Sequence, residues 1–353
     1  MTRADPTDTT DGTTEAGPRM TEPVTAGPAG LPDDGPVLDR HPGLRYFRAR
    51  LGGTTLLDVP APAGGARIAA KCEFENPTGS VKDRVAYALL CRAVLEHEGP
   101  EPLKLLDYSG GSLVRSFGQL GRITGIPMRF AVPSTIPESW LRQITASGVR
   151  VDPVPVERGI AGIIDRAFAV KAEDPSWTLL HQMRNKANVA VHEWTTGREI
   201  LAQLDGRRPT HWVAAIGTGG TLTGVARALR REFPELVVVG NTPDEMPYGT
   251  DGPPNGLTKF AGSGGLGHGV RQPFVAGLAA DARHRSVEYG GALDAMVRFE
   301  ALTGLRIGTS AAANWQVAWE TAASLGPDDL VVTVFPDAGA AEEWERAYAR
   351  AAS

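Results

Sequence analysis

The stretch VAAIGTGGTLTGVARAL, residues 213–229, contains an uncharged apolar run, a glycine-rich turn and then an amphipathic run. The apolar run predicts a buried strand and the amphipathic run predicts a helix. A strand that leads through a tight turn into a helix is the repeating unit of folds in which helices cover a parallel sheet. This stretch therefore predicts an α/β protein.

A second stretch of the same design, LLDYSGGSLVRSFGQL, occupies residues 105–120. In the segments between and around the two stretches, short apolar runs also alternate with amphipathic runs. Two series of alternating strands and helices indicate two doubly wound α/β domains with parallel sheets. Ligands in such folds bind at the carboxyl ends of the strands, so we expect an active site in the cleft between the domains. Further strands are predicted in RIAAKCEF, MRFAVP, ELVVVGN and DLVVTVFPD, and further helices in VKDRVAYALLCRAVLEHEG, RGIAGIIDRAFAVKAED and VAVHEWTTGREILAQLDG.

The chain has 353 residues, which at about 150 residues per domain also predicts two domains. Residues 1–37 are rich in Thr, Pro, Gly and Asp and nearly devoid of large apolar side chains, so we predict a disordered tail. Residues 38–190 would then form the N-terminal domain and residues 191–353 the C-terminal domain.

Composition excludes several classes of function. The net charge is −5 and the basic residues are scattered, which gives no reason to expect a nucleic acid or a membrane surface as partner. No apolar run of 18 residues and no apolar signal segment occurs. The two cysteines, Cys72 and Cys91, are too few for a disulfide framework and indicate a reducing compartment. We therefore expect a cytoplasmic protein without membrane or nucleic-acid partners.

Lys82, within ENPTGSVKDRV, lies where a turn becomes a helix. Ser80 is placed as an N-cap and Asp83 follows three residues later, which is the pattern of a capping box. A lysine at the positive end of a helix is pushed toward its neutral, nucleophilic form. The simpler alternative is an exposed lysine without a chemical role, because most lysines are exposed.

The glycine turn of residues 213–229 is also a candidate phosphate site. A turn of this kind directs backbone N–H groups and hydroxyls to one point at a helix start, although it has neither a Walker lysine nor the dinucleotide spacing. A plain tight turn is the alternative. A reactive lysine and a cup for one phosphate together suggest pyridoxal phosphate as cofactor. The cup consists of Gly217, Thr218, Gly219, Gly220 and Thr221.

These motifs resemble those of the cysteine synthase and cystathionine β-synthase family, the β-family of pyridoxal phosphate enzymes with a tryptophan-synthase-β-like fold. KCEFENPTGSVKDR is similar to the family's Schiff-base lysine segment and GTGGTLTG to its phosphate loop. GGTTLLDVP, HQMRNKANVAVHEWTTGREI, GLRIGTSAAAN and VVTVFPDAG match further blocks in the family's order, so that the resemblance covers about residues 51–339. It implies the fold called type II for pyridoxal phosphate enzymes, and a homodimer.

The resemblance also implies roles for individual residues. Lys82 would form the internal aldimine with the cofactor and later remove the α-proton of the substrate. Ser310 would hydrogen-bond the pyridine nitrogen, and a neutral hydroxyl there favours loss of a β-substituent over transamination. The resulting aminoacrylate intermediate is open to attack by a nucleophile.

The substrate loop departs from the family. Where the family has Thr-Ser-Gly-Asn-Thr-Gly, residues 108–113 are YSGGSL, and Gly111 replaces the asparagine. Gly111 is either a plain loss of one contact or part of a remodelled pocket, and the further differences at Tyr108 and Leu113 favour the second hypothesis. The residues that we expect to bind substrate are Ser109, Gly110, Gly111, Ser112 and Gln182.

The sequence therefore predicts a β-replacement enzyme that acts on an O-activated serine or a related amino acid, with a small nucleophile as second substrate. The alternatives are a β-elimination lyase and a non-catalytic descendant that binds the cofactor as a regulatory or scaffold protein.

His181 and His192 lie in no metal-binding pattern, and we expect no metal site. For His268, in a glycine-rich loop, the alternatives are a position that borders the cleft and exposure to solvent, and exposure is the favoured prediction.

Overall fold

The computed structural model describes residues 31–250, 267–278 and 282–353. Within these three segments the strands form two sheets, one of six strands and one of four. The strands are β1 (Leu56–Val59), β2 (Arg67–Cys72), β3 (Lys104–Tyr108), β4 (Met128–Pro133), β5 (Arg150–Val154), β6 (Trp177–Leu179), β7 (His211–Ala215), β8 (Val237–Pro243), β9 (Arg283–Val287) and β10 (Leu330–Phe335).

Helices pack on both faces of each sheet. A π-helical turn, His192–Thr196, joins two of them. The helices are α1 (Gly35–Arg40), α2 (Leu44–Ala49), α3 (Lys82–Glu96), α4 (Ser112–Thr124), α5 (Glu138–Ala146), α6 (Gly159–Glu173), α7 (Ala187–Val191), α8 (Gly197–Gln203), α9 (Gly220–Arg230), α10 (Tyr289–Thr303), α11 (Thr309–Ala323) and α12 (Ala341–Ala351).

The larger sheet has the strand order β1-β2-β10-β7-β8-β9, in which β1 is antiparallel to β2 and the other pairs are parallel. Its strands are buried because helices cover both faces. Val331 of β10 packs in the core shared with α10, α11 and α12, whereas Val332 packs in the core shared with α8 and α9. This alternation follows from the two-residue period of a strand.

The smaller sheet has the strand order β5-β4-β3-β6 and is parallel throughout. Phe130 of β4 packs in the core shared with α3, α4 and α5, and Ala131 packs against α6 on the other face. Both sheets are therefore doubly wound, as the sequence predicts. The predicted strands and helices are all present in the described segments.

The predicted domain limits do not coincide with the sheets. β1 and β2 lie within residues 38–190, yet they pair with the strands of the C-terminal half because β2 lies beside β10. The division into two domains at residue 190 stays a prediction, and it does not separate the two sheets. Residues 1–30 of the predicted disordered tail lie outside the described residues. The predicted boundary of the disordered tail at residue 37 is wrong, because α1 begins at Gly35 and Val37 is buried against α3.

The start of α3 differs from the predicted capping box. The helix begins at Lys82, and the Ser80 hydroxyl accepts a hydrogen bond from the Lys82 N–H at 3.2 Å. The Asp83 carboxylate turns away from Ser80 and accepts bonds from the N–H and hydroxyl of Thr78, at 2.7 and 2.5 Å. The prediction is wrong because the preceding turn offers Asp83 two donors. The Val81 N–H donates to the Pro336 carbonyl at 2.8 Å, which ties the helix start to the end of β10.

A buried ionic network holds α3 against the larger sheet. Arg84 bonds both carboxylate oxygens of Glu73, at 2.7 and 2.8 Å, and both of Glu199, at 2.6 and 2.8 Å. Lys71 pairs with Glu199 at 2.8 Å. Burial opposes ionisation of Glu199, but the hydrogen bonds from Arg84 prevail and lower its pKa to about 2. Glu199 is therefore ionised at neutral pH. No helix in the described part of the chain is long and apolar enough to cross a membrane.

Candidate active site

The carboxyl ends of both sheets border one cleft, which contains a cavity of about 210 Å³. Loops after β3, β4 and β6 contribute from the smaller sheet, and loops after β7, β8 and β10 contribute from the larger one. All of the site residues that the sequence predicts line this cavity. They are Lys82, Ser109, Gly110, Gly111, Ser112, Gln182, Gly217, Thr218, Gly219, Gly220, Thr221 and Ser310.

Lys82 enters the cleft from the first position of α3. Burial lowers the pKa of its amine, and the negative charge of Asp337 partly opposes that shift. The sequence analysis derives such a shift from the helix dipole, and the structure adds desolvation by burial as a cause in the same direction. A lysine whose neutral form is favoured in a cleft is suited to act as a nucleophile and as a base.

Asp337 is a cleft residue that the sequence analysis does not assign to the site. It follows β10 directly, and its Oδ1 accepts a hydrogen bond from the Gly339 N–H at 3.1 Å. Burial raises the pKa of its carboxyl, while the Gly339 N–H and the charges of Arg115 and Lys82 oppose the rise. A carboxylate at the carboxyl end of a buried parallel strand is a signal that sequence inspection could have used.

The glycine turn between β7 and α9 has the close packing that its sequence suggests. Gly219 is left-handed, with φ 80°, and precedes the first residue of α9. A Cβ at Gly219 would lie 2.4 Å from Val275 Cγ2, and one at Gly220 would lie 2.0 Å from Asn188 Oδ1. The Asn188 side-chain amide donates to the Thr218 hydroxyl at 3.0 Å, and this hydrogen bond links the turn to helix α7.

Gly220 and Thr221, the first two residues of α9, line the cleft, and the Gly220 N–H donates to the Thr218 hydroxyl at 3.2 Å. The N–H groups of a first helical turn have no acceptor inside the helix, which is the arrangement that holds a phosphate. At Gly217 no atom lies within 4 Å of the position that a Cβ would take, so the turn is open there. The residues present therefore fit a group that carries one phosphate. This position in the cleft favours the phosphate cup over a plain tight turn, and the cup stays a prediction.

His192 lies behind the cup, in the π-helical turn. Its Nε2 is 3.2 Å from the Thr221 hydroxyl and its Nδ1 is 3.0 Å from the Thr196 hydroxyl. Burial, followed by the positive charges of Arg84 and Lys82, lowers the pKa of this imidazole well below its usual value. A neutral imidazole has one donor and one acceptor. With the proton on Nε2, His192 donates to Thr221 and directs the Thr221 hydroxyl hydrogen toward the cleft.

The substrate loop after β3 is shaped by a tryptophan. Gly111 has φ 147° and ψ −62°, and a Cβ there would lie 2.6 Å from Cε3 of Trp140. Trp140 is only 4% exposed, and the Arg115 guanidinium stacks over its ring at 4.9 Å. The indole therefore takes the space that an asparagine side chain at position 111 would need. This contact favours the hypothesis of a remodelled pocket.

The other two departures of the loop have different roles. Leu113 lines the cleft. Tyr108 is fully buried and packs away from it, with its hydroxyl 2.6 Å from His181 Nδ1. Tyr108 is therefore a core substitution, and including it among the pocket changes is wrong. Its strand position, with a side chain directed into the core against α6, explains the difference.

Gln182 is held against the same loop. Its side-chain amide donates to the Tyr108 carbonyl, and its backbone N–H donates to Asp107 Oδ2 at 3.2 Å. Burial raises the pKa of Asp107 to about 8, so this carboxyl is mostly protonated at neutral pH. The loop and Gln182 thus form one buried unit, which fixes the Ser109 and Ser112 positions at the cleft.

Three further residues line the cleft. Two of them were not predicted from the sequence, and the third was predicted to be exposed. Asn314 follows Ser310 by one helical turn in α11 and also lines the cleft, a spacing that the sequence could have indicated. Thr135 lines the cleft after β4. The predicted exposure of His268 is wrong, because this side chain is 7% exposed and borders the cleft. Its loop packs on β7, where the His268 N–H donates to the Ile216 carbonyl at 3.1 Å.

Comparison with known proteins agrees with this geometry. A family model described as pyridoxal-phosphate dependent enzyme matches residues 48–337. A cysteine synthase of Staphylococcus aureus is 30% identical over 294 residues, which cover 82% of this chain and 92% of that protein.

Two solved structures are similar throughout. One is an O-acetylserine dependent cystathionine β-synthase from Helicobacter pylori, with a TM-score of 0.74 and 25% identity, covering 83% of this chain and 94% of that one. The other is a hydrogen sulfide-producing enzyme, with a TM-score of 0.75 and 26% identity, covering 84% of this chain and 89% of that one.

Proposed function

This chain belongs to the family of pyridoxal-phosphate dependent enzymes, and we propose that it replaces the β-substituent of an O-activated serine with an incoming nucleophile. The class of the reaction, pyridoxal phosphate-dependent β-replacement or elimination, follows from its relatives. The choice of replacement, the substrate and the residue roles are proposals. The observation that carries them is the meeting of Lys82, the phosphate cup, Ser310 and the substrate loop in one cleft.

Each part of the cleft has a proposed task. Lys82 would hold the cofactor through its amine, the cup would bind its phosphate, and Ser310 would donate to or accept from its ring nitrogen. Ser109 and Ser112, at the start of α4, would bind the substrate carboxylate with hydroxyl and N–H donors. Pyridoxal phosphate bound there supplies an electron-withdrawing ring that stabilises negative charge on the substrate α-carbon.

The proposed reaction is balanced without an oxidant or reductant. The Lys82 amine takes the proton from the substrate Cα, and the bond from Cβ to the leaving oxygen breaks. The leaving group departs as a carboxylate if the substrate is O-acetylserine. The nucleophile then bonds to Cβ, and Lys82 returns a proton to Cα.

O-Acetylserine is the first substrate to test, because a similar structure carries the name O-acetylserine dependent cystathionine β-synthase and the curated relative is called a cysteine synthase. β-Elimination remains the second candidate, since a hydrogen sulfide-producing enzyme is equally similar in fold. The non-catalytic hypothesis is set aside, because the chain belongs to an enzyme family and keeps the lysine, the cup and Ser310 in one cleft.

The function is tested with serine, O-acetylserine, O-phosphoserine, cysteine and threonine, each with and without sulfide. We expect the visible absorbance of the holoenzyme to change with an O-activated serine, and cysteine to form when sulfide is added. Pyruvate in both mixtures, without cysteine, would identify an elimination enzyme. If no amino acid alters the absorbance, the proposed function is wrong.

Two broader expectations also remain proposals. The resemblance to the cysteine synthase family supports a homodimer, which light scattering of the purified protein would test. It also supports a cytoplasmic location and a division into two domains near residue 190. Limited proteolysis that released a folded fragment ending there would support the division, but the pairing of β2 with β10 opposes such a release.

His192 should contribute to cofactor retention through Thr221. We expect His192→Ala to raise the dissociation constant of pyridoxal phosphate about tenfold, because one buried hydrogen bond is worth about 1 kcal/mol and its loss leaves a polar group unpaired. His192→Gln, which can place an amide donor near the position of Nε2, is the conservative control. Absorbance titration of the apoenzyme measures both. Equal affinity in the alanine variant would show that the contact does not orient the cup.

A further inference from the structure

One wall of the cleft is apolar. Pro133 ends β4, Val156 follows β5, Ile160 and Ile163 lie in the first turns of α6, and Met183 follows β6. These five residues are named here the apolar wall. They flank β3, whose own end carries the polar substrate loop. The smaller sheet thus presents a polar centre for the amino acid and an apolar surface beside it.

The apolar wall is packed into the core except at Val156, which is 39% exposed. Ile163 and Met183 are 7% and 8% exposed and belong to one core cluster with residues of β4, β5 and α6. Ile160 packs against the same cluster. A wall supported in this way keeps its shape when the cleft is filled, because packed side chains cannot easily be displaced.

Charge is confined to other parts of the cleft. Among the described residues that line it, the lysine, arginine and acidic side chains are those of Lys82 and Asp337, at the start of α3 and the end of β10. Two polar side chains that line the cleft lie close to the wall in sequence, Gln182 directly before Met183 and Thr135 two residues after Pro133. The Gln182 side-chain amide donates to the Tyr108 carbonyl, and the second group is the Thr135 hydroxyl. Its Oγ1 is buried and has no hydrogen-bond partner in the described part of the chain. The wall therefore offers apolar contact and no charged group among the described residues, with the Thr135 hydroxyl and the Gln182 amide as the polar groups beside it.

Such a surface discriminates between nucleophiles. A hydrosulfide ion or a charged side chain loses hydration there without gaining an ionic partner. An alkyl group gains, since each buried methylene improves binding about fourfold. The leaving group vacates the space next to the substrate Cβ before the nucleophile arrives, so the same wall receives the nucleophile.

We propose that the apolar wall binds the carbon portion of the incoming nucleophile, and that the preferred second substrate is an alkyl thiol and not hydrosulfide. This inference rests on the proposed function. With O-acetylserine, Lys82 takes the α-proton and the bond from Cβ to the acetate oxygen breaks first. The thiol then loses its proton to solvent as its sulfur bonds to Cβ, and Lys82 returns a proton to Cα. The products are an S-alkylcysteine and acetate. No change of oxidation state is required.

The first experiment measures kcat/KM of the holoenzyme for methanethiol, ethanethiol and propanethiol with O-acetylserine, alongside hydrosulfide and mercaptoacetate. We expect a rise of about fourfold per methylene, and a value at least about tenfold lower for mercaptoacetate than for propanethiol, which has a similar length. A flat series, or hydrosulfide as the best substrate, would overturn the inference.

Equilibrium binding provides a readout that does not require turnover. S-Methylcysteine, S-ethylcysteine, S-propylcysteine and S-carboxymethylcysteine are titrated into the holoenzyme by calorimetry. We expect affinity to rise about fourfold per methylene and to fall with the carboxymethyl group. If O-acetylserine does not react but this series holds, the proposed reaction fails and the apolar wall stands. If O-acetylserine reacts but binding is independent of the S-substituent, the proposed role of the apolar wall is refuted and the proposed function is not.

A variant locates the effect. Val156 is 39% exposed, so Val156→Asp should fold, and its carboxylate should abolish the rise with alkyl length. Leu302→Asp is the matched control, because Leu302 is 55% exposed in α10 and does not line the cleft. It should keep the full length dependence. An unchanged length dependence in Val156→Asp would place the alkyl group elsewhere.

Discussion

Replacement of Lys82 by alanine should lower turnover of the O-activated serine by about 10³-fold or more. The amine is proposed both to hold the cofactor and to move the α-proton, and a positioned base alone contributes about 10²–10⁴-fold. Lys82→Arg is the control, because a guanidinium keeps the positive charge but does not deprotonate in proteins. It should be as inactive as the alanine variant. Steady-state kinetics measure the loss, and thermal unfolding checks that both variants fold.

The same variants test where the cofactor is attached. Borohydride should fix pyridoxal phosphate to Lys82 of the wild type, and peptide mapping should find no fixed cofactor in Lys82→Ala. Lys71 is the nearest rival in sequence, but it is fully buried in the ionic network with Glu199, away from the cleft lining. Fixation on Lys71 or on Lys186 would refute the assignment of Lys82.

Gly111→Asn should lower activity on the preferred substrate at least about tenfold while cofactor content stays constant. The new Cβ would overlap the ring of Trp140, and φ 147° is strained for any side chain. Overpacking of this kind costs about 1–3 kcal/mol, and the strain falls on the loop that binds the substrate carboxylate. Kinetics with the substrate panel and absorbance of the bound cofactor measure the two quantities.

Two controls separate the clash from other causes. Gly111→Ala carries the Cβ alone and should show part of the loss. In Gly111→Asn combined with Trp140→Leu, the smaller side chain removes the ring, and the double variant should lose less activity than the two single losses predict. If the Gly111→Asn enzyme were faster on every substrate, Gly111 would only remove the contact that the family's asparagine makes, and the remodelled-pocket hypothesis would be wrong.

The parts of the site that follow from the sequence are local. Lys82 and the cup of Gly217 to Thr221 each depend on a turn and the helix that follows it, so their residues are adjacent in the chain. The Trp140 contact with Gly111 joins helix α5 to the substrate loop through tertiary packing, and no pattern in either segment predicts it. The capping box failed for a related reason, because Asp83 found donors in Thr78 that the pattern does not include.

The fold shows the same limit. Each strand and helix has a local apolar period, and therefore the elements were predictable one by one. The partner of β2 was not, because a strand buried on both faces pairs equally well, as far as its composition shows, with any neighbour. The apolar wall has a similar origin. Its residues come from the end of one strand, two connecting segments and one helix, and they meet only when the smaller sheet has formed.

The pairing of β2 with β10 has a consequence for folding during synthesis on the ribosome. β2 is among the first strands to emerge, but its parallel partner follows it by roughly 260 residues, which at about 5–20 residues per second means a delay of about 10–50 seconds. During that interval β1 covers one edge of β2, and the edge that β10 later covers is open to pairing with other molecules. The smaller sheet, whose strands all lie between Lys104 and Leu179, can complete itself meanwhile. Nascent chains halted before Leu330 should therefore hold a finished small sheet beside an aggregation-prone strand, which chaperones would need to cover.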